Sequence, residues 1–199
     1  MIHIGVPAGI RVGSVRAGEI AVAVEARLRW QHCRRRTVYR REWSIGVGST
    51  RIDVAAINGS ITGCEIKSAQ DNFGRLASQV RLYSAVLDTA VLVVEGQAAT
   101  DRAARVLPGW WGIWSACQSP NGADLQVVRT PGPNPAPEPL AIAQLLWRDE
   151  AFGVLEHSGL SAGLRKATRW RLWEVLAEQL TLPVLQREVR EVIKARPGW

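Results

Sequence analysis

The sequence predicts an α/β protein: a mixed central β-sheet flanked by helices, with an all-helical C-terminal appendage. Three observations predict it. Two β-branched runs, residues 51–57 and 61–67, flank Asn58-Gly59-Ser60, and Asn-Gly between such runs is a strong hairpin signal. The unbroken apolar run Val91-Leu92-Val93-Val94 suits a strand buried on both faces. Only helical patterns follow Pro131-Gly132-Pro133-Asn134-Pro135-Ala136-Pro137-Glu138-Pro139, a stretch whose composition describes a stiff linker.

Each element has its own signal. Residues 1–16 are Gly-rich and show no period. Over residues 17–35 Ile20, Val24 and Leu28 recur on one helical face. The hairpin comes next. Ser68 and Asp71 then have the S-x-x-D spacing of a capping box, and Asp71 precedes Arg75 by four residues, an ion-pair spacing in a helix. Leu76, Val80, Tyr83 and Leu87 share the apolar face of that helix. Strand, helix and buried strand make a right-handed crossover unit. A short helix is expected near residues 101–107, and a strand entered by a turn over 108–114. A second hairpin is expected around Asn121-Gly122. In the tail, residues 140–155 and 164–180 read as amphipathic helices, and Pro183 starts or interrupts a last one through 184–195. The expected partition is an α/β domain over residues 1–130, a linker over 131–139 and a helical region over 140–199. No internal repeat is visible.

The chain of 199 residues carries a formal net charge of +7 and a sequence pI near 10.1. A surplus of this size favours an anionic partner, nucleic acid above all, although a solvated surface accounts for it equally. The densest cluster is Arg34, Arg35, Arg36, Arg40 and Arg41, with Tyr39 and Trp43 nearby. Guanidinium forks pair with phosphates and aromatic faces stack on bases; a solvated face is again the plain alternative. Cys33, Cys64 and Cys117 fit no zinc spacing and read as reduced thiols. No apolar run reaches membrane-spanning length. Arg11 and Arg16 interrupt the mildly apolar start, which makes a poor signal peptide, so a cytoplasmic location is expected. His3, His32 and His157 have no ligand-spaced partner. The glycine patterns of serine hydrolases, Walker loops and dinucleotide folds are missing.

Chemistry concentrates in residues 53–83: Asp53, then Glu65-Ile66-Lys67, then Gln79-x-x-x-Tyr83. Glu65 and Lys67, two apart on a strand, point to one face. Whether Asp53 joins them depends on register. A two-residue loop pairs Ile57 with Ser60 and sends Asp53 and Glu65 to opposite faces. A three-residue loop pairs Ile57 with Ile61 and sets Asp53 across from Glu65. A metal site therefore requires an odd-length loop or a phase-restoring bulge. Two facing carboxylates repel, so one tends to hold a proton. A divalent cation relieves that cost, and a buried acid–Lys67 pair is the structural alternative. The only lysines are Lys67, Lys166 and Lys194, so Lys67 stands out in an Arg-rich chain.

Together Arg51-Ile52-Asp53, Gly63-Cys64-Glu65-Ile66-Lys67-Ser68 and Gln79-x-x-x-Tyr83 resemble the PD-(D/E)XK nuclease superfamily, near its RecB-type and Holliday-junction-resolvase-like branches. Ile52 stands where that superfamily's name has proline. Arg75-Leu76-x-x-Gln79-Val80-x-x-Tyr83, Pro108-x-Trp110-Trp111-Gly112-Ile113 and Leu145-Leu146-Trp147-Arg148-Asp149-Glu150 resemble a family of bacterial and phage proteins with this nuclease core and a C-terminal helical region. The resemblance implies a restriction-endonuclease-like core that hydrolyses DNA phosphodiester bonds. It implies that Asp53, Glu65 and the Ile66 carbonyl hold Mg²⁺ or Mn²⁺, that Lys67 assists the attacking water, and that Gln79, one turn before Tyr83, helps position water, metal shell or DNA. It also implies a glutamate from the first helix. Glu25 is the candidate for it, Glu19 being better placed as a cap and Glu42 an alternative from the strand before Asp53. Two rival expectations are a catalytically silent module that binds nucleic acid or a protein, and a helical tail that docks a partner or a second copy.

Overall fold

A computed structural model describes residues 15–68, 71 and 73–197. The Gly-rich start with His3 and Arg11, and residues 69, 70 and 72 near the expected capping box, lie outside the described residues. Six strands form one sheet in sequence order: β1 (Val38–Ile45), β2 (Thr50–Ile57), β3 (Ile61–Lys67), β4 (Thr89–Glu95), β5 (Gly112–Ser119) and β6 (Gly122–Arg129). Pairs β1–β2, β2–β3 and β5–β6 are antiparallel, and β3–β4 and β4–β5 are parallel. Seven helices accompany them: α1 (Ala17–Gln31), α2 (Leu76–Val86), α3 (Gln97–Val106), α4 (Pro139–Ala143), α5 (Arg148–His157), α6 (Arg169–Gln179) and α7 (Leu182–Ala195). The α/β sheet with helical flanks and a helical C-terminal region is as the sequence predicts.

The apolar pattern explains the layers. Ile20, Val24 and Leu28 of α1 are buried with Val54, Ala56, Cys64, Ile66, Val91 and Val93 on one face of the sheet. On the other, Ala55, Ile57, Leu92 and Val94 join Leu76, Tyr83 and Val86. Neighbours along β4 thus serve opposite clusters, which is why its sequence is unbroken apolar.

Helix ends differ from expectation where polar side chains capture backbone. Asp71 Oδ2 accepts from Ser68 N at 2.9 Å and Ser68 Oγ at 2.7 Å. That pairing closes a local turn, and α2 begins only at Leu76, with Arg75 as its N-cap. Short polar side chains that bond their own backbone favour turns over helix interiors. Residues 140–155 are two helices, because Glu150 Oε2 accepts from Trp147 N at 2.7 Å and starts α5 afresh. Thr168 Oγ1 accepts from Arg171 N at 3.3 Å, so α6 starts late. Gly159 and Gly163 precede it with φ of 72° and 76°, a conformation that suits glycine. The first helix stops at Gln31, leaving Arg34–Arg36 outside it. Pro183 sits in the first turn of α7 and starts that helix.

The Pro-rich segment is tied down. Asn134 Nδ2 donates to the carbonyls of Ser84 and Leu87, both at 2.7 Å, and Glu138 N donates to the Ala85 carbonyl at 2.8 Å. The tail then shares the sheet's core: Ile142, Leu146, Leu172, Trp173, Leu185 and Val189 are buried in the cluster that holds Leu92 and Val94. Asp88 joins hairpin to tail. Its Oδ2 accepts from Ile61 N at 2.5 Å, and its Oδ1 accepts from Arg190 at 2.7 Å and Gln186 at 3.2 Å. No helix among the described residues is long and apolar enough to cross a membrane. Because the apolar core is continuous, sheet and tail should unfold in one transition seen alike by far-UV circular dichroism and tryptophan fluorescence. Asp88→Ala should lower stability by roughly 1–3 kcal/mol in urea titration, since it strands Ile61 N and Arg190 together.

Candidate active site

The turn between β2 and β3 sets the geometry. Ile57 pairs with Ile61, Ala56 with Thr62, Ala55 with Gly63 and Val54 with Cys64. This is the three-residue loop. Asn58 makes it: its Oδ1 accepts from Ser60 N at 3.0 Å, and its Nδ2 reaches Thr37 Oγ1 at 3.3 Å. Asparagine mimics a backbone turn in this way. One step further along the register, Asp53 lies across from Glu65.

The ladder stops at Val54–Cys64, and Asp53 turns its carboxylate into the gap. Asp53 Oδ2 accepts from Ile66 N at 2.7 Å. The N–H and C=O of one extended residue project to the same strand edge, so the Ile66 carbonyl faces that gap too. Glu65 and Lys67 are buried, at 2% and 8% exposure. Glu65 Oε1 accepts from Lys67 Nζ at 2.7 Å and Gln79 Nε2 at 2.5 Å. Glu65 Oε2 meets the Tyr83 hydroxyl at 2.5 Å, and that hydroxyl also meets the Arg51 carbonyl at 2.6 Å. Gln79 and Tyr83, one turn apart on α2, thus both grip Glu65. Trp111 stacks on the Tyr83 ring, with centroids 5.7 Å apart.

Asp53, Glu65, Lys67 and Gln79 line a cleft of about 730 Å³ beside the start of α1 and the first turns of α2, open to solvent, whereas Tyr83 and Trp111 do not line it. The sequence-predicted Asp53, Glu65, Ile66, Lys67 and Gln79 all reach it, as do Arg41 and Glu42. Glu25 does not line it. Arg29 and Arg41 each bind Glu25 at 2.8 Å; burial would raise its pKa, but these two hydrogen bonds outweigh that and lower it. Glu19 accepts from Arg16 N at 3.1 Å and caps α1, as expected of it. Glu42 holds the place opposite Asp53, between the pairs Arg41–Val54 and Trp43–Ile52. Its φ of 52° is unusual for a non-glycine residue, and its carboxylate binds Arg51 at 3.0 Å. Arg34, Arg35 and Arg36 are exposed but stand outside the cleft, Arg40 is half-buried on β1, and Trp43 is buried rather than free to stack. Sequence reasoning missed Arg51 and Arg75 as cleft residues. The signals were there: Arg51 lies two before Asp53 on a strand, and Arg75 four before Gln79 at helical spacing.

Burial and the nearby Glu65 charge push the Asp53 carboxyl up to about 7, and Glu42 adds to the rise; the Ile66 N–H and Lys67 oppose it. Burial, then the Glu65 carboxylate, push the Tyr83 hydroxyl far above its usual range, so it stays a proton donor. A second negative charge beside Glu65 is therefore disfavoured, and Asp53 tends to hold a proton, as facing acids lead one to expect. Among the described residues no group of three or more His, Cys, Asp or Glu side chains is arranged to hold a metal ion, so a cation here would rest on two carboxylates. Two carboxylates and a carbonyl suit a cation that keeps several waters, which is the habit of Mg²⁺. The buried Gln79 Oε1 has no hydrogen-bond partner, and a water at the cation would satisfy it.

Asp53 makes stability pH-dependent. Its folded pKa of about 7 exceeds the unfolded value of 3.8, so the folded state keeps a proton that the unfolded chain has lost. Without metal, stability should be greatest below pH 4 for this group and decline as pH rises through 7. Asp53→Asn should flatten that slope in thermal melts across pH 4–8.

No match was found among curated proteins or among solved structures. The model of the family described as Bacteriophage P4 protein cII matches residues 18–197, a stretch that runs from α1 through α7 and includes every residue that lines the cleft except Ala17. The chain belongs to the Bacteriophage P4 protein cII family.

Proposed function

We propose that this protein is a Mg²⁺-dependent nuclease of the PD-(D/E)XK type that hydrolyses DNA phosphodiester bonds. The observation that carries the reading is the convergence of Asp53, Glu65 and Lys67 on one open cleft, with Gln79 and Tyr83 fixing Glu65. A divalent cation held by Asp53, Glu65 and the Ile66 carbonyl would supply Lewis acidity toward a phosphate oxygen and lower the pKa of a bound water.

The chain's own residues supply the rest. Lys67, whose Nζ sits at Glu65 Oε1, lines the cleft. There it orients the attacking water or offsets charge developing on the phosphate oxygens. Gln79 donates to Glu65 through Nε2 and leaves Oε1 to accept a hydrogen from that water. Tyr83 fixes Glu65 against the Arg51 backbone. Water adds its oxygen to phosphorus and gives a proton to solvent, the bond to the sugar oxygen breaks, and solvent protonates the departing oxygen.

A second reading has one observation in its favour: both Glu65 oxygens are already bonded by Lys67, Gln79 and Tyr83. Such a self-satisfied network also suits a silent module that grips nucleic acid without cutting it. Cleavage of supercoiled plasmid with Mg²⁺ or Mn²⁺ separates the two. The nuclease reading expects metal-dependent nicking that Glu65→Ala and Lys67→Ala each reduce about 100-fold or more. Equal activity in all three proteins would remove it, and metal-independent DNA binding without cleavage by the wild type would favour the silent module.

A further inference from the structure

Four cationic side chains line the cleft: Arg41, Arg51, Lys67 and Arg75. Three are engaged by carboxylates. Arg41 binds Glu25 at 2.8 Å, Arg51 binds Glu42 at 3.0 Å and Lys67 binds Glu65 at 2.7 Å. Arg75 forms no ion pair with any described residue, and no acidic residue lies among residues 1–14, 69, 70 and 72. Asp71, the nearest acid in sequence, takes both Ser68 donors on Oδ2 and makes no ion pair with Arg75. Arg75 is exposed, and its backbone is fixed: its carbonyl accepts from Gln79 N at 3.0 Å and Ser78 Oγ at 2.8 Å. It is the N-cap of an 11-residue helix. One turn on, about 5.4 Å along the axis, Gln79 touches Glu65.

An exposed guanidinium that lines the cleft without an ion pair, one helical turn from a carboxylate site, is free to take an anion from outside. The partial positive charge of a helix start adds to its field, and a guanidinium fork matches phosphate oxygens. Resting on the nuclease reading for the identity of the strand, we infer that Arg75 anchors the phosphate next to the one cleaved, and so sets where a nucleic-acid backbone sits in the cleft. The contact is to backbone, so it serves strands of any base sequence. Arg41 and Arg51 share their charge with Glu25 and Glu42, which leaves Arg75 as the cleft arginine with most charge to offer a phosphate.

The test is equilibrium binding of a fluorescein-labelled DNA oligonucleotide in EDTA over a salt series, so that no cleavage intervenes. Arg75→Ala should weaken binding and lower the slope of log affinity against log salt by about one. Arg75→Lys should keep the slope. Arg171→Ala, a charge loss on α6 far along the chain, should leave both affinity and slope near wild type. Mn²⁺ affinity, read by electron paramagnetic resonance, should match wild type in Arg75→Ala, which a general loss of structure would not allow. An unchanged slope in Arg75→Ala, an equal loss in Arg171→Ala, or no DNA binding by the wild type would overturn the inference. Arg75-dependent binding by a protein that never cleaves DNA would keep it while removing the nuclease reading.

Discussion

The pairing of Ile57 with Ile61 across Asn58-Gly59-Ser60 is the constraint on which the site depends. Side chains on a strand alternate, so a slip of one residue would send Asp53 to the other face and leave Glu65 without its acidic neighbour. Asn58 holds the turn through its own side chain, and Asp88 fixes the first residue beyond it by accepting from Ile61 N. Arg190 of α7 reinforces both, donating to the Gly59 carbonyl at 2.9 Å and to Asp88. The helical tail therefore helps set the register of the strands that carry the acids, although it lines none of the cleft.

Electrostatics follow from that register. Two carboxylates from adjacent strands meet at a half-closed cleft, and the neighbouring charges are divided unequally. Glu65 receives Lys67, Gln79 and Tyr83, while Asp53 receives one backbone N–H. Burial and the Glu65 charge raise the Asp53 pKa, and the single N–H and Lys67 only partly oppose them. A divalent cation, as proposed, would take the place of the proton that Asp53 tends to hold. Glu25 is bound by two arginines and Glu42, in the same cleft, by one, so a cation held by Asp53 and Glu65 would keep water in its remaining positions. Water in those positions is what a hydrolytic site requires.

Periodicity made the layers legible. The i, i+4 pattern of Ile20, Val24 and Leu28 gave the buried face of α1, and the unbroken run at Val91–Val94 gave a strand covered on both sides. It also restricted the hairpin to two registers and named what each would do to Asp53, but choosing between them depended on an Asn58 side-chain bond that apolar pattern does not encode. Glu25 shows a second limit. Its position beside the apolar face suited a cleft residue, yet Arg41 arrives from β1 and Arg29 from its own helix, and partner choice across elements is invisible in spacing. Glu42 shows a third, since a left-handed backbone at a glutamate has no sequence signature. The tail patterns read as helices, whereas their continuity with the sheet's core came from contacts between residues far apart in sequence, such as Trp173 Nε1 with the Leu146 carbonyl at 3.0 Å.

Anomalous diffraction from crystals soaked in Mn²⁺ tests the central claim most directly. The account predicts a peak within coordination reach of both the Asp53 and Glu65 carboxylates and of the Ile66 carbonyl, with Lys67 Nζ drawn off Glu65. Saturating Mn²⁺ that gives no peak in the cleft, with Glu65 still held by Lys67, Gln79 and Tyr83, would contradict it.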